Sequence, residues 1–209
     1  MSCEYAGAYS GGMSLRSAQK QMTRDLLMRS ALAVFGEKGY VGTTVDDIAV
    51  RAGANGATFY LHFSSKSELV AALIGEVNEL VVSTDKPTLT DVVVSGERGK
   101  IEAFFARRFD QWPEMMPYVV AANQAADVEP SIQALVDRWH ESAIGEITEG
   151  LKLADRFAPE TRRARALAAF GQLEYYSRRW AHVGGWTELV TRQTALHVLT
   201  DSWHSLLVG

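Results

Sequence analysis

The chain is poor in features that force chemistry. It has one cysteine, Cys3, in 209 residues, so no disulfide can close within it, and that usage fits a reducing, cytoplasmic setting. No apolar run approaches the roughly 18–20 residues that a membrane span needs. The first dozen residues are rich in Gly, Ser and Tyr and lack a basic segment followed by an apolar one, which is not a secretory signal. Residues 1–13 are expected to form a disordered arm, with Met13 and Met22 as other candidate starts. A Gly-rich phosphate loop, a nucleophile elbow, Cys/His metal spacing and a dinucleotide fingerprint are all missing. Glu102, Asp110, Glu114, Asp127 and Asp137 offer no defensible general acid–base pair. Neither an enzyme nor a cofactor is expected. Excess positive charge is lacking too: 21 Lys and Arg stand against 25 Asp and Glu, a net −4.

What is present is helical periodicity. At 47% apolar residues the chain can bury a real core, and no alternating strand pattern interrupts it. Leu26, Leu27, Ala31, Val34 and Phe35 form a stripe over 17–38, which Gly39 ends and Tyr40 folds back upon. Thr44 suits an N-cap, Asp46 and Asp47 suit a first turn, and Val45, Ile48, Ala49 and Ala52 share one face. Gly53 permits a sharp turn, and Asn55 caps a second short helix over 56–62, with Phe59 and Phe63 inward and Thr58, Leu61 and His62 outward. Ser65-Lys66-Ser67-Glu68 reads as a capping box for a fourth helix. Two short helices about a tight turn make a helix-turn-helix.

This block resembles the DNA-binding domain of the tetracycline-repressor (TetR) family of transcriptional regulators. The resemblance covers about residues 22–75 and rests on Phe35, Gly39-Tyr40, Thr43-Thr44-Val45, Asp47-Ile48-Ala49, Ala52-Gly53, Thr58-Phe59-Tyr60, His62-Phe63 and Ser65-Lys66. No single pair is specific; their combined order and spacing is. The resemblance implies a recognition helix over 55–62 in the major groove of double-stranded DNA, with Thr44, Tyr60, His62 and Lys66 on phosphates. A helix N-terminus and a lysine beside it suit an anion. Tyr60 and His62 also suit partly buried packing positions, and Thr44 is a cap with or without DNA. Gly56 and Ala57 depart from the family pattern. Gly56 has no side chain to offer, and Ala57 and Leu61 offer only apolar contact, leaving Asn55 and Thr58 as hydrogen-bonding candidates. Modest direct readout is expected, with phosphates and DNA shape supplying the rest. Arg16, Lys20, Arg24 and Arg29 predict a locally basic footprint.

Beyond a connection at Ser83–Gly99, which holds Pro87 and Val92-Val93-Val94, helices are expected over 99–112, 114–126, 130–155, 159–183 and 186–207. Trp112-Pro113 is read as a boundary. The fold class is thus all-α: an arm at 1–13, an N-terminal three-helix helix-turn-helix domain at 14–66, and a C-terminal helical ligand-binding and dimerisation domain at 67–209. Trp112, Met116, Tyr118, Trp139 and Tyr175 are candidates to line a pocket for an apolar or aromatic small molecule, with Asn123, Gln124, Gln172 and Glu174 nearby; a filled core is the alternative. Ala164, Leu167, Ala168, Gly171 and Tyr175, with Leu189, Leu196, Leu199, Trp203 and Leu206, are expected to pair two copies through the last two helices. His197, Asp201 and His204 have a zinc-like i, i+4, i+7 spacing, but no other helix supplies a matching ligand, so a polar strip and no metal is the expectation. The expected function is a ligand-responsive repressor released from a pseudo-palindromic operator. The rivals are a helical carrier or enzyme, an activator, and a constitutive DNA binder.

Overall fold

A computed structural model of the chain describes residues 15–209. The expected arm at 1–13 lies outside the described residues. Nine helices are present among the described residues: α1 Leu15–Gly42, α2 Val45–Arg51, α3 Gly56–Tyr60, α4 Lys66–Thr84, α5 Leu89–Ser95, α6 Arg98–Ala126, α7 Pro130–Leu153, α8 Pro159–Val183 and α9 Arg192–Leu207. No strand occurs among them.

The short helices start where their caps predict. Thr44 accepts from the Asp47 N–H while the Asp47 carboxylate takes the Thr44 N–H, a complete capping box. Asn55 accepts from the Thr58 N–H, and Ser65 from the Glu68 N–H. The reciprocal half of the Ser65 box differs from expectation. Glu68 takes both the N–H and the hydroxyl of Ser64, at 2.6 and 2.5 Å, not the N–H of Ser65. Gly39, at φ 71° and ψ 164°, breaks α1, and Tyr40 packs back on Phe35 with ring centroids 5.5 Å apart.

Three boundaries need correction. The connection at 83–99 contains α5, capped by a Thr88–Asp91 box and buried through Leu89, Val92 and Val93. Its partner is α7, where a Cβ on Gly150 would lie 2.7 Å from Val93 Cβ and 3.1 Å from the Thr90 carbonyl oxygen. The last helix begins at Arg192, capped by Thr191, not at 186. The expected break at Trp112-Pro113 does not exist: α6 runs through both Pro113 and Pro117. Each proline inside a helix costs about 3 kcal/mol. Phe109, Trp112, Met115 and Met116 are all buried on that stretch, and each such side chain recovers roughly 1.5–3 kcal/mol. Burial on both sides of the prolines therefore carries the helix across.

Two apolar cores result. One joins α1–α4 with Ala121, Ala122 and Ala125 of α6 and Ile132 and Val136 of α7. The other gathers Phe104, Phe105, Phe109, Trp112 and Trp203 with residues of α5, α7, α8 and α9. α4 contributes Leu69 to Ile74 to the first and Val77 to the second.

Candidate nucleic-acid interface and cavity

The helix-turn-helix presents an exposed edge. Asn55, Ala57, Tyr60 and Leu61 are exposed, Gly56, Thr58 and His62 are half-buried, and Thr44 is exposed at the start of α2. Tyr60 stands 59% exposed with its ring edge-on to buried Phe59, so it is a surface residue, not a packing one. The two readout candidates engage each other: Asn55 Oδ1 accepts from the Thr58 N–H at 2.9 Å and its hydroxyl at 3.1 Å. Gly56 sits against α2, where an added Cβ would meet Asp46 Oδ1 at 2.9 Å. Lys20 and Arg24 accompany this edge; Arg24 lies 4.3 Å over the Phe63 ring, and both cations bear on His62. Arg29 lies elsewhere, beside Tyr118.

Two assigned phosphate contacts change meaning. Lys66 Nζ donates to the carbonyls of Tyr40 and Thr43 at 2.6 and 2.7 Å and lies 4.1 Å over the Tyr40 ring. It therefore ties the start of α4 to the end of α1, and burial pulls its pKa below the ordinary lysine value. His62 has a buried Nδ1 with no partner. Burial first, then Lys20 and Arg24, lower its pKa, which favours the neutral ring. The Thr44 hydroxyl is held by Asp47 at 2.8 Å, and Lys38, Thr44 and the cap geometry hold that carboxyl well below its usual range.

A cavity of about 110 Å³ lies inside the second core. Trp112, Met116 and Trp139 line it, as expected, with Phe104, Phe170 and Trp203. Tyr118 and Tyr175 do not. Tyr118 faces α1, and Tyr175 is 69% exposed on the outer side of α8; both lie on the right helices but on other faces. Of the polar candidates, Asn123 and Glu174 line the cavity. Gln124 instead accepts the Tyr40 N–H at 2.9 Å, and Gln172 keeps a buried Oε1 without a partner. Arg108, His140 and Arg178 line the cavity and were missed. At its rim Arg178 reaches Glu174 at 2.8 Å and Asn123 at 3.3 Å, and His140 stands 3.8 Å from Glu174. Arg108 had a signal in the sequence: it falls on the apolar register of Ile101, Phe104, Phe105 and Trp112.

Comparison with known proteins gives the same frame. Residues 27–73 match the bacterial regulatory proteins of the tetR family. The helix-turn-helix region belongs to the TetR family. It is similar to the HTH-type transcriptional regulator TcmR of Streptomyces glaucescens, with 40% identity over 68 residues, 32% of this chain and 30% of the relative. It is also similar to the HTH-type transcriptional activator FasR of Mycolicibacterium smegmatis, at 36% over 121 residues, 54% of this chain and 55% of the relative. The matches thus span about a third to about half the length of these curated relatives. The crystal structure of a TetR-like transcriptional regulator from Rhodococcus sp. RHA1 superposes with a TM-score of 0.66 at 20% identity, covering 88% of this chain and 95% of the other. That likeness extends the TetR-family fold through the C-terminal helices.

The α8 stripe expected to pair two copies is solvent-facing in the single chain: Ala164, Leu167, Ala168, Gly171 and Tyr175 are all exposed. The α9 set divides. Leu189 is 94% exposed, and Leu196 and Leu206 are half-buried. Leu199 and Trp203 are interior residues of the same chain, and Trp203 donates from Nε1 to the Ala169 carbonyl at 3.0 Å. The His197–Asp201–His204 strip is drawn to Arg98, which reaches Asp201 at 2.6 Å. No metal-like cluster occurs among the described residues. No helix among them is long and apolar enough to cross a membrane.

Proposed function

We propose that this chain is a homodimeric, DNA-binding transcriptional repressor whose operator affinity falls when a small apolar or aromatic molecule occupies the cavity. The observation that carries this reading is the double duty of α6. Its Trp112 and Met116 line the cavity, while its Ala121, Ala122 and Ala125 sit in the helix-turn-helix core and Gln124 holds the Tyr40 N–H. A ligand that favours one placement of α6 biases the first core, and by linkage DNA biases the cavity equally. The proposed division is a DNA-binding unit at 14–66 and an effector unit at 67–209, with Leu69, Val70, Leu73 and Ile74 of α4 reaching back into the first core. Thr44, Asn55, Ala57, Thr58, Tyr60, Leu61 and His62 form the DNA face, with Lys66 and Gly56 acting mainly in support. The exposed α8 stripe pairs two copies, setting recognition helices about 34–36 Å apart on successive major grooves.

Fluorescence anisotropy on the DNA upstream of its own gene, beside a scrambled duplex, tests this. Specific binding that weakens steeply with salt and is lost in Tyr60→Ala supports it; equal affinity for both duplexes sinks it. A second reading, an activator of the same architecture, draws on the similarity to FasR. Transcription from the bound promoter with and without the protein separates the two signs.

A further inference from the structure

Arg108 is a charged side chain on an apolar wall, and its surroundings go beyond lining. It borders the cavity but not the wider cleft outside it, whereas His140, Glu174 and Arg178 border both. Its side chain is 10% exposed. Its Nη2 donates to Asp85 Oδ2 at 3.2 Å, its Nη1 to Gln111 Oε1 at 3.2 Å, and its guanidinium faces the Phe104 ring at 5.3 Å. Asp85 is the residue that ends α4. A carboxylate there meets the negative end of the helix dipole and needs a cation to hold it. Arg108 is that cation, with Arg107 at 4.0 Å and Glu146 of α7 acting on the guanidinium from farther away. Gln111 adds a second tie, donating to Thr84 Oγ1 at 2.7 Å. Arg108 and Gln111, one turn apart on α6, therefore clasp Asp85 and Thr84 at the α4 terminus.

The pair is replaceable. Burial lowers the Arg108 pKa and raises that of Asp85, each against the pull of its partner, so neither charge is fully compensated for the water it has lost. Another anion delivered through the cavity can take the guanidinium, because a planar fork accepts any carboxylate. The space of about 110 Å³ is below the about 150 Å³ of a dry engineered cavity that binds benzene, so the apolar body is no larger than a single ring or a short chain.

We propose that the cavity takes a small apolar molecule bearing one carboxylate, that this carboxylate displaces Asp85 from Arg108, and that the released clasp frees the end of α4. The proposal rests on the effector reading above and names the ligand's chemistry and its anchor. The carboxylate sits against Phe104 and Met115, and its apolar body against Trp112 and Trp203.

The test is tryptophan fluorescence of the full chain titrated with benzoate and, separately, with benzyl alcohol, then with hexanoate and 1-hexanol. Each acid is expected to bind about tenfold more tightly than its alcohol, the worth of one hydrogen-bonded charge contact. Arg108→Met abolishes that ratio. Asp85→Asn, which removes the competitor and keeps Arg108, tightens acid binding several-fold and leaves the alcohols unchanged; it serves even if Arg108→Met unfolds, as circular dichroism will show. Equal binding of acid and alcohol, no binding of either at millimolar concentration, or an Asp85→Asn variant with unchanged acid affinity overturns the proposal. Operator anisotropy run alongside keeps the two readings apart. Specific DNA binding without an acid preference leaves the regulator standing and removes Arg108 as anchor. Acid preference without DNA binding does the reverse.

Discussion

In the first core the short helices α2 and α3, and the longer α4, begin on a side chain that accepts from the backbone three residues on: Thr44, Asn55 and Ser65. In the second, the longest helices α6, α7 and α8 begin at Glu97, Glu129 and Ala158 with no such bond, while short α5 again has its Thr88 box and α9 its Thr191 cap. A helix of one or two turns has too few internal bonds to repay its nucleation, so its ends must be satisfied locally. A helix of 24 residues or more, as α6, α7 and α8 are, is held by its buried face. The interiors differ in the same sense. The second core contains the cavity and keeps Gln172 Oε1, Trp180 Nε1 and Thr200 Oγ1 buried without partners, against His62 Nδ1 beside the first. The lesson is that one region is specified by short-range chemistry and packed to hold a shape, while the other is specified by aromatic packing that leaves room.

The sharpest way to break that comparison is to truncate one large residue in each core. Phe59→Ala, in the packed core, is expected to cost about 3–5 kcal/mol. Met116→Ala, which already borders empty space, falls near the low end, about 2 kcal/mol; equal losses in urea melts would erase the distinction. Filling is the converse. Ala143→Leu points into the cavity and should raise stability by about 0.5–2 kcal/mol while abolishing any ligand response; a lower melting temperature would mean the space is not available to a side chain. Caps come next. Thr44→Ala should cost about 1 kcal/mol, and Glu97→Ala, at the uncapped start of α6, close to nothing. A comparable loss at both ends would contradict the local-versus-packing division.

The smallest effect is one of pH. The His62 pKa is lowered in the folded state from about 6.5, so in acid the unfolded chain binds the proton more readily. Stability from this site is full above pH about 6.5 and declines as pH falls through the lowered value. His62→Gln should flatten that part of a pH–stability curve, and an unchanged slope would mean that the ring is not effectively buried.

Much of the first core was legible because its signals are local. Thr44, Gly39, Asn55 and Ser65 act on backbone within three or four residues, and the structure puts each at the helix end expected of it. The tie that Lys66 makes within the chain was not legible, because its partners, the carbonyls of Tyr40 and Thr43, are more than twenty residues away in sequence and carry no residue-type signature. In the second core, helical period identified Trp112, Met116 and Trp139 as apolar-face residues but could not tell the face that borders this cavity from those that meet α1 or solvent, so it grouped Tyr118 and Tyr175 with them. The same ambiguity assigned Leu199 and Trp203 to a partner copy when the helices of their own chain bury them.

The sequence by itself determined the helical class, the turn between α2 and α3 and the residues along its exposed edge, since caps, glycines and apolar spacing act over one turn of backbone. Only the tertiary structure decided that α6 runs unbroken through Pro113 and Pro117, that a cavity remains beneath it, and that Arg108 spends its charge on Asp85. Those outcomes depend on burial summed over helices distant in sequence, which outweighs the local cost of a proline or a buried charge.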